Sequence, residues 1–364
     1  MQTKSSLGQL GLIPDELRLL RKPERPTNSI ETIIFLSLKI ILSVYFSCLL
    51  LASHHTYAQI KLHTEDLPRF YQALDSVMTT SDTVKQASFV QHLYVDKASK
   101  GLREFMELRG GNTQKWVKFM TTARSTLLEK RPFILSAIDQ ESKILEKIER
   151  FKVIYPNFRD GDIYFCVGIG NSGGTIQDNT VYIGTEIAAN QSPDWAVPLV
   201  LHEFVHTQQW VQRNINNLMK DEQAARAYMA SHKSLLSQCL VEGMADFVSE
   251  LVLGQRLANR FPDGHNAFGE KYEAEIWLEF QKDMYQDIGN SKGWLYAEKE
   301  IAGKSCRDLG YFVGYKICKR FYDQAKDKKQ ALAQMIELNL SDENAKEFLL
   351  QSHYKPAQPT GIQK

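Results

Sequence analysis

The feature that most constrains this chain is the motif His-Glu-Phe-Val-His at residues 202–206, which lies in an otherwise apolar stretch. Helix positions four apart share a face, so His202 and His206 are able to direct two imidazoles at one point. Imidazole is a common zinc ligand, and Glu203 is placed to take a proton from water activated by the metal. The alternative is a chance match, in which two core histidines make ordinary hydrogen bonds.

A second predicted helix, residues 235–253 with Gly254 as its C-cap, supplies a carboxylate for the same site. Glu242 lies in it among Leu, Val, Met and Phe residues, 36 positions after His206. A buried carboxylate needs a partner, and the third position of a zinc site provides one. The pattern predicts two histidines and one glutamate as ligands, with a fourth position open to water. The alternative is a solvated acidic face, which the apolar neighbours disfavour.

Two further features of the second helix bear on the site. Asp246 follows Glu242 by one turn on the same face, so we expect it to accept the free N–H of a ligating histidine. Gly243 and Ala245 make the helix slim, which predicts a close approach to the helix of the two histidines.

Charge and composition exclude several classes of partner. The chain has 364 residues and a formal net charge of +1, so it lacks the basic character of nucleic-acid-binding proteins. It contains no phosphate-binding glycine loop, so we expect no nucleotide and no organic cofactor. Four cysteines without CxxC spacing follow the N-terminal region, and we expect free buried thiols, with one or two disulfides as the alternative in an exported protein. They are Cys166, Cys239, Cys306 and Cys318.

The N-terminal region predicts export. Residues 1–30 are polar and contain prolines, and we expect them to be disordered. The apolar stretch Ile33–Ala52 is interrupted by Lys39, which leaves 13 uninterrupted residues, the length of a signal peptide. Small residues before position 59 place cleavage after Ala58. An uncleaved N-terminal membrane anchor is the alternative, and both place the remainder in a secreted, periplasmic or cell-envelope location.

The rest of the chain predicts an α+β fold that is mainly helical. Residues 59–160 show helical periodicity, and residues 64–66 are expected to cap the first helix. Residues 161–355 are expected to form a zincin-like core, with a small sheet beside the helix of the two histidines. Residues 356–364 are expected to be a disordered tail.

Two β-like runs, residues 162–167 and 181–184, border a glycine-rich segment at residues 168–174. We expect a hairpin whose outer strand borders a cleft, open for a peptide to pair along it. A plain surface hairpin is the alternative. A phosphate-binding loop is disfavoured because no lysine or helix start follows in the right place.

A zinc hydrolase also needs a neutral donor for the charge that develops on the attacked carbonyl. Tyr311 and Tyr315 are four residues apart and each follows a glycine, so they share a helix face that another backbone or a substrate can approach. We favour Tyr311, which is nearer the N-terminal end of that helix. His232, in a polar stretch, is another candidate. The alternative for the tyrosines is a core position with satisfied hydroxyls.

Together these motifs resemble those of the gluzincin metallopeptidases, the thermolysin-like clan. The order of HExxH at 202–206, Glu242–Phe247, Gly310–Tyr315 and Ser352–Tyr354 is similar to that of predicted zinc-dependent proteases of bacteria related to gliding-motility lipoproteins. The resemblance covers roughly residues 60–355. It implies a single peptidase-like domain, secreted or attached to a membrane. The leader lacks a lipobox, which departs from the lipoprotein branch.

The sequence therefore predicts a secreted zinc metallopeptidase acting on a peptide or protein substrate. Zn²⁺ held by His202, His206 and Glu242 activates water, and Glu203 takes its proton and passes it to the leaving amine. The alternative is a non-catalytic cell-envelope assembly protein that retains the fold, which would not need the intact Glu203. A zinc hydrolase acting on a non-peptide amide is a third interpretation.

Overall fold

The computed structural model describes residues 60–290 and 292–356, with only the backbone of Asn290. The predicted disordered N-terminal region, the signal peptide with its cleavage after Ala58, and the tail beyond Pro356 lie outside these residues. The described residues belong to one compact unit. Their helices and small sheets confirm the mainly helical α+β class. None of the helices in this part of the chain is long and apolar enough to span a bilayer.

The N-terminal part is a set of short helices that provide a packed scaffold. They are α1 (Asp66–Val77), α2 (Thr83–Val90), a π-helical turn (Gln91–Val95), α3 (Lys100–Arg109), α4 (Thr113–Thr122), α5 (Arg124–Leu135), a 3₁₀ turn (Ser136–Gln140) and α6 (Glu141–Ile154). Helix α1 buries Leu67, Phe70 and Leu74 along one face, as its periodicity predicts. The predicted capping by residues 64–66 is wrong. Glu65 already has helical dihedral angles, φ −62° and ψ −21°, and its side chain makes no capping hydrogen bond.

Local sequence explains the break between α3 and α4. Gly110 follows the last residue of α3 with φ +69° and ψ +31°, the left-handed conformation that glycine adopts without a Cβ clash. Asn112 then caps α4 by accepting a hydrogen bond from the Lys115 backbone N–H. A helix stop and a helix start therefore stand side by side in the sequence.

The main sheet has the strand order β1-β2-β4-β3. Its strands are β1 (Leu62–His63), β2 (Ile163–Cys166), β3 (Gly174–Gln177) and β4 (Thr180–Gly184). Strands β2 and β4 pair in parallel, with Ile163 opposite Val181, and β3 pairs antiparallel to β4. Strand β1 pairs in parallel with β2 and so joins the N-terminal part to the core.

The predicted hairpin between the two β-like runs is wrong. These runs are neighbours, but they are parallel, so the chain must cross over between them through the glycine-rich segment and an additional strand, β3. Strand β3 was not predicted because its sequence, Gly-Thr-Ile-Gln, has no clear alternation and is only partly buried. As a result, β3 forms one edge of the sheet and β1 the other.

Five helices follow the sheet in sequence. They are α7 (Thr185–Ala188), α8 (Ala196–Gln208), α9 (Trp210–Leu218), α10 (Glu222–Ser231) and α11 (Leu235–Leu253). Helix α8 carries the two histidines and packs against β3, β4 and α11, so the small sheet does lie beside it. Helices α9 and α10 form a polar excursion in which no residue is fully buried. Helix α11 ends at the predicted Gly254, which has φ +72°.

The C-terminal part completes the core around α11. Its elements are α12 (Leu257–Arg260), α13 (His265–Lys271), α14 (Glu273–Asp283), a 3₁₀ turn (Ile288–Asn290), β5 (Glu298–Ile301), β6 (Lys304–Arg307), α15 (Leu309–Gln324), α16 (Lys328–Ile336) and α17 (Asp342–Ser352). Strands β5 and β6 pair antiparallel as a separate two-stranded sheet. Within the described residues the cysteines are free and buried.

Helices α11 and α15 make an unusually close contact. A Cβ atom on Gly243 would overlap the backbone of Gly314 and Tyr315, and one on Gly314 would overlap the carbonyl group of Cys239. The expectation that Gly243 serves the contact with the helix of the two histidines is therefore wrong, because it faces α15. Gly314 does admit another backbone, that of α11.

Candidate metal centre

Helices α8 and α11 bring three candidate ligands together. The Nε2 atoms of His202 and His206 lie 3.1 Å apart. Glu242 Oε2 lies 3.4 Å from His202 Nε2 and 3.2 Å from His206 Nε2. One donor atom from each residue lies within 4.8 Å of the other two. Two imidazoles and one carboxylate form a donor set that suits zinc and leaves a fourth tetrahedral position open.

The outer nitrogen of each histidine is engaged elsewhere, which directs the inner nitrogen to the cluster. His202 Nδ1 is 2.9 Å from Asp246 Oδ1, the contact expected one turn after Glu242. His206 Nδ1 is 2.9 Å from Gln209 Oε1, and Gln209 Nε2 in turn donates to the Val241 carbonyl at 2.8 Å. Hydrogen bonds of this kind place the proton on Nδ1 and leave the Nε2 lone pair for a metal.

Asp246 is the centre of a wider buried network. Its Oδ2 atom accepts hydrogen bonds from His265 Nε2 at 2.7 Å and from Asn266 Nδ2 at 3.0 Å. Both partners lie at the start of α13. With His202 on its other oxygen, the Asp246 carboxylate is fully engaged, as a buried charge must be. The network fixes the orientation of His202 from two elements distant in sequence.

Glu203 lies on the same side of α8 as the cluster and under the sheet edge. A Cβ atom on Gly174, the first residue of β3, would overlap the Glu203 carboxylate, so glycine is what lets the strand cross so closely. Burial raises the pKa of Glu203, and His206 and His202 oppose that shift. A carboxyl with a raised pKa close to the two histidines is suited to accept and return a proton.

The charges of the cluster are mutually dependent. Burial lowers the pKa of His202, but its hydrogen bonds to Asp246 and Glu242 outweigh burial and raise that pKa well above its usual value. A metal ion at Nε2 would therefore have to replace the proton that His202 shares with Glu242. For Glu242, burial raises the pKa, but His206 and His202 hold it well below the usual range. The carboxylate of Glu242 therefore stays ionised inside the protein, as a metal ligand must.

Of the two predicted tyrosines, the structure brings Tyr311 to the cluster and does not bring Tyr315. The Tyr311 ring stacks on His202, with ring centroids 6.0 Å apart and an interplanar angle of 19°. Burial and the charge of Glu242 raise the pKa of Tyr311, which keeps its hydroxyl protonated and able to donate. Tyr315 instead donates to Glu250 Oε1 at 2.6 Å.

The other candidate donor, His232, lies away from the cluster. Its ring stacks on Tyr228 and Trp210, with centroid distances of 4.0 Å and 6.2 Å. Its Nε2 atom is 2.5 Å from Asn339 Oδ1. These contacts hold His232 in a partly buried aromatic cluster away from the candidate ligands.

A cavity of about 360 Å³ opens beside the candidate ligands. Its polar side carries His202, Glu203, Asp246, His265, Asn266, Asp308 and Tyr311, and its apolar side includes Trp195, Pro198, Leu199, Leu257 and Phe261. A second cavity of about 480 Å³ lies between α14 and the C-terminal residues, and none of the predicted site residues lines it. The nearer cavity therefore gives access to the side of the candidate site formed by His202, Glu203 and Tyr311.

Sequence reasoning missed His265, Asn266, Gln209 and Tyr296. The Tyr296 hydroxyl donates to Glu242 Oε1 at 2.8 Å. Gln209 had a usable signal, because it follows His206 by three residues at the end of α8. The others lie at helix starts or in loops, where no periodicity marks them.

The chain belongs to the family described as Gliding motility protein GldB, whose model matches residues 53–356. No curated protein and no solved structure matches the chain significantly. The relation to gliding-motility lipoproteins expected from the motifs is therefore confirmed, and it agrees with a location in the cell envelope. The gluzincin part of the resemblance stays a prediction.

Proposed function

We propose that this chain is a zinc-dependent metallopeptidase of the cell envelope. The observation that carries the proposal is the cluster of His202, His206 and Glu242, which adjoins a cavity that His202 and Glu203 line. Ligands alone would fit a structural metal, but structural sites usually have four protein ligands. Three ligands, a neighbouring carboxyl and an open cavity fit a catalytic centre better.

The residues present fit zinc by their chemistry. Both imidazoles are held through Nδ1, and Glu242 is ionised and directs Oε2 at both Nε2 atoms. Zinc bound there supplies Lewis acidity, which activates water and polarises a carbonyl.

The chain's own residues then handle the protons and the developing charge. Glu203 takes a proton from the attacking water and returns it to the leaving amine, a role that its raised pKa supports. The ring of Tyr311 stacks on His202, and its hydroxyl donates a hydrogen bond to the oxyanion. Asp246 and Gln209 hold the two histidines in place.

The sheet supports a peptide as the substrate. Strand β3 is at the edge of the sheet, and its first residue, Gly174, lies directly on Glu203. A peptide could pair with β3 through main-chain hydrogen bonds, which do not depend on its sequence. Such a peptide would lie close to the carboxyl group of Glu203. An exported location also follows in this proposal, with a signal peptide cleaved after Ala58.

The test combines metal analysis with digestion of a broad peptide library by the purified mature protein. We expect about one zinc per chain in the wild type and in Glu203→Gln, because Glu203 is not a ligand. Hydrolysis should fall about 10²–10⁴-fold in the variant, the usual contribution of a general base. A wild-type protein without zinc would contradict the proposal, and undiminished hydrolysis by Glu203→Gln would remove the assigned role of Glu203.

A second candidate function is a non-catalytic envelope assembly module, which the family description as a gliding motility protein favours. In that case the wild type would bind zinc and cleave no library peptide. The Glu203→Gln chain would also replace the wild type fully in cells, since assembly needs no general base.

A further inference from the structure

Tyr296 is an exposed residue with an unusual backbone conformation. It lies in the loop before β5, and 61% of its surface is exposed. Its φ is +59°, a left-handed conformation that is rare for a bulky side chain. Backbone strain of this kind persists where the surroundings hold the residue in place, and it is often found at functional sites.

The surroundings of Tyr296 do hold it. Its backbone N–H donates to Asp308 Oδ1 at 2.5 Å, and its carbonyl accepts from Arg307 Nη2 at 2.6 Å. Asp308 itself has φ +62° and immediately precedes α15. Two left-handed residues are thus hydrogen-bonded to each other at the rim of the metal centre.

The result is a split between the two oxygens of Glu242. Oε2 lies 3.4 Å and 3.2 Å from the Nε2 atoms of His202 and His206. Oε1 accepts the hydroxyl of Tyr296 at 2.8 Å. Tyr311 is a neighbour of this pair: its ring centroid lies 6.0 Å from that of His202 and 6.4 Å from that of Tyr296. Besides burial, a hydrogen bond to Glu242 contributes to the raised pKa of Tyr311.

We propose that Tyr296 is a positioning residue that restricts Glu242 to a single-oxygen metal ligand. This inference rests on the zinc site proposed above. A carboxylate that offered both oxygens would fill the position that a catalytic site keeps for water. A hydrogen bond from a neutral hydroxyl to a carboxylate is strong enough to hold one oxygen back.

The test uses cobalt as the probe, since its visible absorption reports coordination number and does not require turnover. Wild type, Tyr296→Phe and Tyr296→Leu are loaded with Co²⁺ and their spectra compared. The matched control is Tyr285→Phe, an exposed tyrosine (51%) in the turn after α14.

We expect intense four-coordinate bands in the wild type and in Tyr285→Phe. Both Tyr296 variants should show weaker bands, because Glu242 gains a second bond to the metal. The exposure of Tyr296 and the use of two different replacements separate this effect from misfolding, which a thermal melt of each variant checks.

Identical spectra in wild type and both Tyr296 variants would overturn the inference while leaving the metal site intact. Failure of the wild type to bind cobalt or zinc would overturn both this inference and the proposed function. If the Tyr296 variants show weaker bands but the wild type hydrolyses no peptide, the inference is supported and only the peptidase proposal is contradicted.

Discussion

The two faces of helix α11 are built on opposite principles. Toward α8 the contact is polar, and carboxylates of Glu242 and Asp246 meet histidines across the gap. Toward α15 the contact is backbone on backbone, at Gly243 and Gly314. Side chains therefore bridge the space between α11 and α8, whereas glycines in place of larger residues let α11 and α15 come into backbone contact.

The difference separates chemistry from packing within one helix. The glycine face sets where α15 lies, and so places Tyr311 over His202. The polar face sets which atoms point at the proposed metal position. Substitutions on the polar face should change metal binding and catalysis, and substitutions on the glycine face should change stability first.

The largest effect is expected from Glu242→Ala. Without the third ligand, zinc content should fall to background, and the melting temperature of the zinc-treated variant should fall toward that of zinc-free wild type, since binding energy is also folding energy at such sites. Metal analysis and calorimetry measure both. Full zinc content with an unchanged melting temperature would place the third ligand elsewhere. It would also contradict the assignment of metal binding to the face of α11 that is turned toward α8.

Tyr311→Phe tests the link between the faces. It should lower kcat by roughly 10²–10³ while zinc content and stability stay near wild type, because it removes one donor to the transition state. Tyr315→Phe is the comparison one turn away, with its hydroxyl on Glu250, and it should change kcat much less. Equal kcat in the wild type and in both variants would show that the tyrosines on α15 serve packing alone.

Asp246→Asn should cost about 10–100-fold in metal affinity or activity, the usual effect of a partner behind a ligating histidine. The side chain keeps its size, so the cavity and the helix contact persist. Zinc titration against a competing chelator measures the affinity. An affinity equal to that of the wild type would mean that His202 is oriented without Asp246.

Gly243→Ala addresses the other face and should have the smallest effect on metal binding. The added Cβ would overlap the backbone of α15, which should cost about 1–3 kcal/mol in the free energy of unfolding. Gly289→Ala is the control, since its Cβ would meet only the Asp287 carboxylate at 3.3 Å. Denaturant unfolding of the zinc-free proteins compares them, and equal stability would show that α11 and α15 separate easily.

Much of the centre was predictable because its signals are local. Two histidines four apart on an apolar helix share a face whatever the rest of the fold does. Glu242 and Asp246 stand out for a similar reason, since carboxylates among Leu, Val and Met need partners. The helix end at Gly254 follows from the residue type alone.

What escaped prediction depends on contacts between distant segments. Tyr296 reaches Glu242 across 54 residues, and no periodicity in its loop indicates that it does. The small size of Gly243 predicted a close contact with another helix, but it did not indicate which helix that would be. Strands β2 and β4 read as a hairpin because pairing direction is decided by the crossover between them, through a third strand too short to recognise.

The free cysteines of the described residues have a consequence for how the chain responds to oxidants. Thiolates, not thiols, attack disulfides and oxidants, and burial raises the pKa of Cys166, Cys239 and Cys318 well above that of an exposed thiol. Burial likewise raises the pKa of Cys306, to about 11. In the fold these four thiols are thus poor nucleophiles, whereas unfolding would expose their sulfurs. Burial, rather than a disulfide between them, is therefore what protects these four cysteines.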